Sequence, residues 1–251
     1  AAALSGSVVS VTDVADLVTW DEDDGWGMKL AWLAAPGGAI LWTKVGALID
    51  EIMCEVKGAR VRSYGDVNIG CIRSKEDAHI EVVGDVYVSI AAAGGAGVFN
   101  WGDQYLSGNV VVGQDEKASG LLASFTTGTV HFDGMAVQNG AVVTAGSGVR
   151  GLLSCTNGDA MISTLGDADG TFTASNGKLI LEAASLTGGT VWGTDVSVNL
   201  SGALAAGAEA KAYNNLVADV TGNVAGTLVT TGRESEDLGG DLRLTALGDF
   251  T

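Results

Sequence analysis

A short internal repeat constrains the fold of this chain more than any other feature of its sequence. The segment Ala59–Gly70, ARVRSYGDVNIG, aligns with Ala78–Ser89, AHIEVVGDVYVS, at an offset of 19 residues. Alanine, glycine, aspartate and valine recur in place. A third copy, Leu242–Phe250 (LRLTALGDF), ends in the same step of glycine, aspartate and a hydrophobic residue. A repeat of this length predicts an architecture of stacked units.

Each copy of the repeat has the pattern of two short strands joined by a corner. Val61 and Ser63, or Ile80 and Val82, recur at the period of two that turns one face of a strand inward. The Gly-Asp step then turns the chain, because glycine accepts a positive φ and aspartate bonds to the local backbone. A single unit cannot bury its inner face alone, so the units are expected to stack.

The pattern predicts an all-β fold: a parallel β-solenoid (β-helix) of the right-handed type, with irregular coils of about 19–24 residues. The alternative is a β-sandwich or jelly roll, which also consists of short strands bounded by glycine. Small residues favour the solenoid, because they dominate from residue 86 onward and narrow coils have little room for aromatics. The single proline, Pro36, suits ladders in which every N–H is needed.

The N-terminal part of the chain departs from the repeat. Four of the six tryptophans lie before residue 43: Trp20, Trp26, Trp32 and Trp42. We therefore predict two regions, a tryptophan-rich N-terminal cap or docking region at residues 1–56 and the β-solenoid at residues 57–251. A cap would cover a strand edge that otherwise pairs with other chains. A wider first coil would account for the tryptophans equally well.

Two segments could form either helical or extended structure. Residues 45–56 carry hydrophobic side chains at helical spacing, which indicates a capping helix. A continuous strand fits almost as well, because Gly46 and several β-branched residues weaken a helix. The alanine-rich segment Ala203–Asn215 interrupts the repeat, and we interpret it as a loop with one helical turn.

The charge of the chain limits its partners. The sequence has 13 Lys and Arg against 30 Asp and Glu, a formal charge of −17. Nucleic acid is not expected as a partner, because phosphate binding requires clustered basic residues. The densest basic group is interleaved with acids: Lys57, Arg60, Arg62, Arg73 and Lys75.

Hydropathy and the N-terminal sequence bear on location. The longest apolar run, Leu30–Trp42, is broken by Pro36 and is shorter than the roughly 20 residues that a membrane-spanning helix needs, so no membrane span is expected. The chain starts at Ala1 with neither methionine nor a basic, apolar leader, which fits a mature protein after signal cleavage and equally a fragment of a longer chain. With the anionic composition, this predicts an extracellular or cell-surface location.

Three cysteines, Cys54, Cys71 and Cys155, exclude a complete disulfide framework because their number is odd. Cys54 and Cys71 could pair if neighbouring coils place them side by side. The plainer interpretation is that all three are small buried apolar residues.

Two acidic segments are candidates for calcium, and no other cofactor is indicated. Asp21–Gly25 (DEDDG) is the densest carboxylate cluster, but four adjacent acids cannot all face one ion, which favours a solvated turn. Gly166–Gly170 (GDADG) places two carboxylates at alternate positions. Neither segment matches an EF-hand or the GGxGxD repeat, so no residue is predicted to be a metal ligand.

No residue is predicted to be catalytic or cofactor-binding. Nucleophilic catalysis needs a base beside a serine or cysteine, and the only histidines are His79 and His131. His79 occupies the repeat position of Arg60 and is expected on the surface. Gly94–Gly97 lacks the lysine of a phosphate-binding loop. Two carboxylates suffice for glycoside hydrolysis, but 30 acids produce such a pair by chance.

The three repeat units resemble the β-helical repeats of large bacterial surface proteins, including filamentous-haemagglutinin-like adhesins and autotransporter passenger domains. The resemblance covers residues 59–89 and 216–251. It implies a surface or secreted location and a spacer, adhesive or fibre-building role. β-Helical polysaccharide lyases are similar in architecture but combine calcium-binding aspartates with a basic residue, whereas Arg150 and Arg233 are isolated in this sequence.

The sequence therefore predicts an extracellular structural protein and not an enzyme: a β-solenoid building block of a surface filament, surface layer or adhesin stalk. Self-association through terminal coils is expected, because the last repeat, ending at Phe250-Thr251, would offer free strand edges. Neighbouring domains of a larger surface protein are the other candidate partner. The second hypothesis is a carbohydrate-binding or polysaccharide-cleaving β-helix, with a glycan as its partner.

Overall fold

The protein is an all-β chain whose parallel strands stack as a β-solenoid. The computed structural model describes residues 4–10, 14–19, 28–76, 78–92, 96–100, 104–110, 121–125, 128–232 and 240–250. Within these ranges there are strands, turns and bends but no helix. The predicted fold class is confirmed. The sandwich and jelly-roll alternatives are excluded, because their sheets are built from antiparallel strands.

The chain divides into two units, Ala1–Gly128 and Thr129–Thr251. The described strands of unit 1 are β1 Leu4–Ser10, β2 Val14–Thr19, β3 Met28–Ala34, β4 Gly38–Thr43, β5 Ala47–Cys54, β6 Ala59–Ser63, β7 Val67–Ser74, β8 Ala78–Val82, β9 Val86–Ala92, β10 Ala96–Asn100, β11 Gln104–Val110 and β12 Leu121–Phe125. Those of unit 2 are β13 Thr129–Val137, β14 Ala141–Ala145, β15 Gly148–Cys155, β16 Ala160–Thr164, β17 Asp167–Ala183, β18 Leu186–Leu200, β19 Ala208–Ala212, β20 Leu216–Val220, β21 Thr227–Thr230 and β22 Leu242–Ala246.

Each coil of unit 1 contributes one strand to each of two parallel ladders. The odd-numbered strands β1 to β11 form the first face, and the even-numbered strands β2 to β12 form the second face. Ala59 lies opposite Ala78 and Val61 opposite Ile80. The structural register is therefore the one that the 19-residue repeat predicts.

Unit 2 also has two parallel ladders of its own, and two long strands contribute to both. β17 and β18 pair with each other on either side of a corner. The first face contains β13, β15, β17, β18, β19 and β21, and the second face contains β14, β16, β17, β18, β20 and β22. Single parallel bridges continue a third line from Leu186 through Leu204 and Val224 to Phe250.

Alternation along each strand builds the core. In β6, Ala59, Val61 and Ser63 are buried, whereas Arg60 and Arg62 between them are exposed. Parallel register places each inward residue over its counterpart in the next coil, so the core is a set of columns of small or branched apolar side chains. Burying each Val or Ile stabilises the fold by about 1.5–3 kcal/mol.

Buried hydroxyl groups lie where strands enter corners, and the corner backbone satisfies them. The Ser63 hydroxyl donates to the carbonyl oxygen of Gly65 at 2.9 Å. Thr43 and Ser74 make equivalent bonds of 2.9 and 2.8 Å to residues two or three positions ahead. These inward polar residues therefore carry no desolvation penalty from a missing partner, and they fix the geometry of the turn.

The corner aspartates bond to the next coil and not to their own turn. The Asp66 carboxylate accepts the N–H of Asp85, 19 residues ahead, at 3.0 Å, and Asp159 accepts the N–H of Lys178 at 2.7 Å. The predicted local bonding is wrong at these positions. The neighbouring coil presents its N–H directly beneath the carboxylate, so the side chain joins two coils.

The capping helix at residues 45–56 is wrong and the strand alternative is confirmed, whereas the helical turn at Ala203–Asn215 is wrong. Residues 45–56 contain β5, in which Ile49, Ile52 and Cys54 are buried, so the β-branched residues outweigh the helical spacing. Ala203–Asn215 contains β19, whose Ala208, Ala210 and Ala212 all face inward. The narrow coil selects alanine there for its size, which overrides alanine's preference for helix.

The described residues of the N-terminal region belong to the same parallel ladders. β1 pairs with β3, and β2 pairs with β4. Trp20 and Trp26 lie outside the described residues. The cap or docking role of residues 1–56, and their separation from residues 57–251, stay predictions.

Candidate functional site

The calcium candidates do not form a metal centre in the described part of the chain, where no three His, Cys, Asp or Glu side chains come together as ligands. Asp21–Gly25 lies outside that part. Asp167 and Asp169 are both exposed, on either side of the buried Ala168. They offer two carboxylates on an open surface, fewer than the six to eight oxygens that calcium takes.

The histidines lie in rows of outward-facing residues. His79 is opposite Arg60 in the ladder, as the repeat predicts, and is half-buried. His131 is opposite Arg150, and Arg150 in turn is opposite Asp169. Arg150 is exposed. Arg233 and part of Gly94–Gly97 lie outside the described residues.

The three cysteines are unpaired. Cys54 of β5 lies opposite Ser74 of β7, and Cys71 of β7 lies opposite Glu51 of β5. The inward Cys54 therefore cannot reach the half-exposed Cys71 without a change of register. The interpretation as small buried residues is confirmed for Cys54 and Cys155 and is wrong for Cys71.

Burial makes two of these thiols poor nucleophiles. Removal from water raises the pKa of Cys54, and a backbone hydrogen bond involving Ala39 opposes this only in part. Burial likewise raises the pKa of Cys155, whose thiol donates to the carbonyl oxygen of Gly158 at 3.2 Å. Because the thiolate is the reactive form, neither thiol is suited to nucleophilic chemistry, and Cys155 bonds within its own corner as Ser74 does.

A shallow concavity of about 360 Å³ lies on the first face of unit 2. It follows a bulge, because Asp133 and Gly134 are inserted between the pairs Phe132–Gly151 and Met135–Leu153. Its lining is uncharged: Gly134, Met135, Ala136, Leu152, Leu153, Ser154, Thr171 and Thr173. The site can offer an apolar floor and hydroxyl groups to a ligand, but no carboxylate from its lining.

The last coil of unit 2 leaves its inward side chains uncovered. Leu242 is 50% exposed, whereas Leu216, its counterpart one coil earlier, is 0% exposed. Leu244 is half-buried above the fully buried Ala218. Among the described strands, β22 pairs with β20 on one side only. Apolar side chains and a row of backbone hydrogen-bonding groups are both presented at this edge.

The second face of unit 1 carries a small excess of positive charge, because Lys44, Arg60 and Arg62 outnumber Asp16, which lies opposite Ile40, and Glu81, which lies opposite Arg62. We call it the cationic face and define it by five residues: Ile40, Trp42, Lys44, Arg60 and Arg62. Ile40 lies opposite Arg60, and Trp42 lies opposite Arg62. Arg62 pairs with Glu81 at 3.4 Å, while Arg60 makes no ion pair with any described residue.

Grouping the basic residues by their positions in the sequence did not identify the cationic face. Arg73, which belongs to the same cluster in the sequence, lies on the first face and pairs with Glu51 at 2.7 Å. The available signal was the spacing of two between Arg60 and Arg62, which places both guanidinium groups on one side of β6.

The second face of unit 2 carries an excess of negative charge, because its carboxylates outnumber Lys178, which lies opposite Asp195, and Arg243, which lies opposite Val217. We call it the acidic face and define it by Val142, Met161, Asp159, Glu182, Asp195 and Asp219. Val142 and Met161 are adjacent in the ladder and are 44% and 39% exposed. Glu182 lies in the next row, where it accepts a hydrogen bond from Ser163 at 3.2 Å.

No protein-family model matches the chain, and searches of curated proteins and of solved structures return no match either. The resemblance to bacterial surface proteins therefore stays a prediction. In the part of the chain that the structure describes, no helix has the length and apolar character needed to cross a membrane.

Proposed function

We propose that this chain is an extracellular structural protein, a β-solenoid building block of a surface filament, surface layer or adhesin stalk. In this proposal it is not an enzyme, and it associates with further copies through its terminal coils. The extracellular location rests on the anionic composition, with a charge of −17.

The observation that carries the proposal is the uncovered coil at β22. Leu242 is exposed and Leu244 half-buried, whereas their counterparts in β20, Leu216 and Ala218, are fully buried. Covering a leucine such as Leu242 would stabilise a contact by about 1.5–3 kcal/mol, and a parallel strand would satisfy the free backbone groups. A further coil of the same kind supplies both.

A second copy carries a suitable coil. Within the described residues, β1 pairs only with β3 and β2 only with β4, so each has one free edge. Placing β1 and β2 of one copy against β21 and β22 of another would extend both ladders in parallel. We call this the axial contact.

The axial contact is tested by two adjacent substitutions in β22. Leu244→Asp puts a charge in the inward column, and we expect it to abolish assembly because a carboxylate cannot be buried there without a partner. Arg243→Asp changes the outward neighbour and serves as the matched control. Sedimentation velocity of wild type and both variants measures assembly. Equal assembly by Leu244→Asp and wild type would rule out the axial contact.

A second candidate function is carbohydrate binding, which the concavity at Leu152 favours. Hydroxyl groups of Ser154, Thr171 and Thr173 surround an apolar floor, a combination suited to a neutral sugar. Cleavage has less support, because glycoside hydrolysis requires two carboxylates. A glycan screen with product detection separates the two: binding without products supports a lectin-like role, and calcium-dependent release of unsaturated sugars would make the chain a lyase.

A further inference from the structure

We propose that the cationic face of one copy docks laterally against the acidic face of a second copy of this chain. This lateral contact is separate from the axial contact and involves different residues. Coils stacked end to end produce a filament, and side-to-side contact would join filaments into a bundle or layer.

The first support for the proposal is the segregation of charge along the chain. Residues 28–76 contain 7 of the 13 basic residues and only 5 of the 30 acids. This segment is therefore positive in a chain whose total charge is −17. The basic residues are Lys29, Lys44, Lys57, Arg60, Arg62 and, on the first face, Arg73 with the adjacent corner Lys75. Three of them lie on the cationic face.

The acidic face has the complementary arrangement. Glu182 and Asp219 are exposed on outward rows of the second face, and Asn199 lies between them in the ladder. Asp159 and Asp195 line the corner beside these rows. Their carboxylates accept backbone N–H groups and form no ion pair among the described residues, although Asp195 lies opposite Lys178 in the ladder.

Apolar residues accompany the charges on both faces. Ile40 is 44% exposed next to Arg60, and Met161 is similarly exposed one row from Glu182. Between two faces, this arrangement allows apolar contact and charge pairing to form together.

The size of the faces indicates a weak contact that is effective only in an array. The cationic face lies on two neighbouring strands, and two strands of about five residues, spaced by about 4.8 Å with about 3.3 Å per residue, present about 160 Å². A standard interface buries about 800 Å² per partner. Filaments would repeat the contact along their length, and repetition raises the overall affinity without new contacts.

A second copy of the chain is a better partner for the cationic face than another polyanion, because every copy carries one cationic face and one acidic face. A soluble polyanion would meet the cationic face but would be repelled by the rest of a chain of charge −17. A uronic-acid polymer is therefore the competitor to include in the test.

The experiment measures binding of soluble protein to wild-type copies coupled densely to a biosensor. All soluble proteins carry Leu244→Asp, so the axial contact plays no part in the result. We expect binding to fall at least tenfold between about 0.01 M and about 1 M salt, since the Debye length shrinks from about 30 Å to about 3 Å. Because each copy carries both faces, each charge-reversed variant is also coupled to the biosensor in place of wild type and tested against itself. Arg60→Glu/Arg62→Glu should not bind immobilised copies of itself, and neither should Glu182→Arg/Asp219→Arg.

The decisive result is rescue: the two charge-reversed variants should bind each other. Arg73→Glu/Arg150→Glu and Asp133→Arg/Asp169→Arg change the same charges on the first faces and should bind as wild type does. If a reversed variant loses its β-sheet circular dichroism, Arg60→Gln/Arg62→Gln and Glu182→Gln/Asp219→Asn replace the pair, and each should weaken binding. Unchanged binding by the Arg60 and Arg62 variants, absence of rescue between folded variants, or displacement by a uronic-acid polymer would each overturn the proposal.

Discussion

At the scale of single residues, the corners of the coils determine which side chains are tolerated. A Cβ atom built on Gly65 would lie 1.4 Å from the carbonyl oxygen of Val45 in the preceding coil. The glycine therefore allows two coils to approach closely, and the Asp66 bond to Asp85 holds them together. The Gly-Asp step of the repeat is a device for joining coils, and this accounts for its recurrence without any ligand.

Two glycines at the bulge in unit 2 distinguish the cost of steric overlap between coils from the cost of backbone strain. Gly151 and Gly134 both have positive φ, 98° and 69°. A Cβ on Gly151 would lie 2.0 Å from the carbonyl oxygen of Phe132, whereas a Cβ on Gly134 meets nothing within 4 Å. We expect Gly134→Ala to cost about 1–2 kcal/mol from strain, and Gly151→Ala to cost about 1–3 kcal/mol more. Urea denaturation measures both, and equal losses would contradict the stacking of coils at this point.

The buried thiols predict a dependence of stability on pH. Because burial raises the pKa of Cys54 and Cys155, the folded state keeps these protons when the unfolded state has lost them. This contribution to the free energy of unfolding is complete below about pH 8.5 and is lost as pH rises toward the folded-state pKa. Urea midpoints of the wild type should fall above about pH 9, and less so for Cys54→Ala/Cys155→Ala. Parallel pH profiles for the two proteins would contradict this assignment.

At the scale of strands, the width of the coil determines the conformation of a segment more than its secondary-structure propensity does. The sequence predicts the register of Ala59–Ser63 on Ala78–Val82 correctly, because hydrophobic alternation and coil length act together there. It fails at Ala203–Asn215, where three alanines at period two can be read as a helix. Their role becomes visible only when Ala210 is placed between Val191 and Leu228 of the neighbouring coils.

This reading of β19 predicts the effect of a larger side chain. Ala210 is 0% exposed, so Ala210→Leu overfills the coil and should destabilise unit 2 by about 1–3 kcal/mol. Lys211→Leu adds apolar volume on the outward side of the same strand and should change stability by no more than about 0.5 kcal/mol. The shift in urea midpoint measures both. Equal stability of the two variants would show that the inner columns are not closely packed.

At the scale of the whole molecule, the sequence predicts one interaction surface and misses others. The repeat copy Leu242–Phe250 is the basis for predicting association through terminal coils, and Leu242 is 50% exposed in the structure. The cationic and acidic faces do not follow in the same way. Their residues are spread over several coils, and only the register brings Ile40 beside Arg60 or Ser163 beside Glu182.

The proposed function requires that copies of this chain assemble by adding coil to coil. Electron microscopy of the protein purified from its native source without refolding tests it most directly. The proposed function predicts filaments or sheets with an axial repeat near 4.8 Å, the spacing of stacked strands, and their loss in Leu244→Asp. Uniform isolated particles for the wild type at every concentration examined would contradict the claim and direct attention to the concavity beside Leu152.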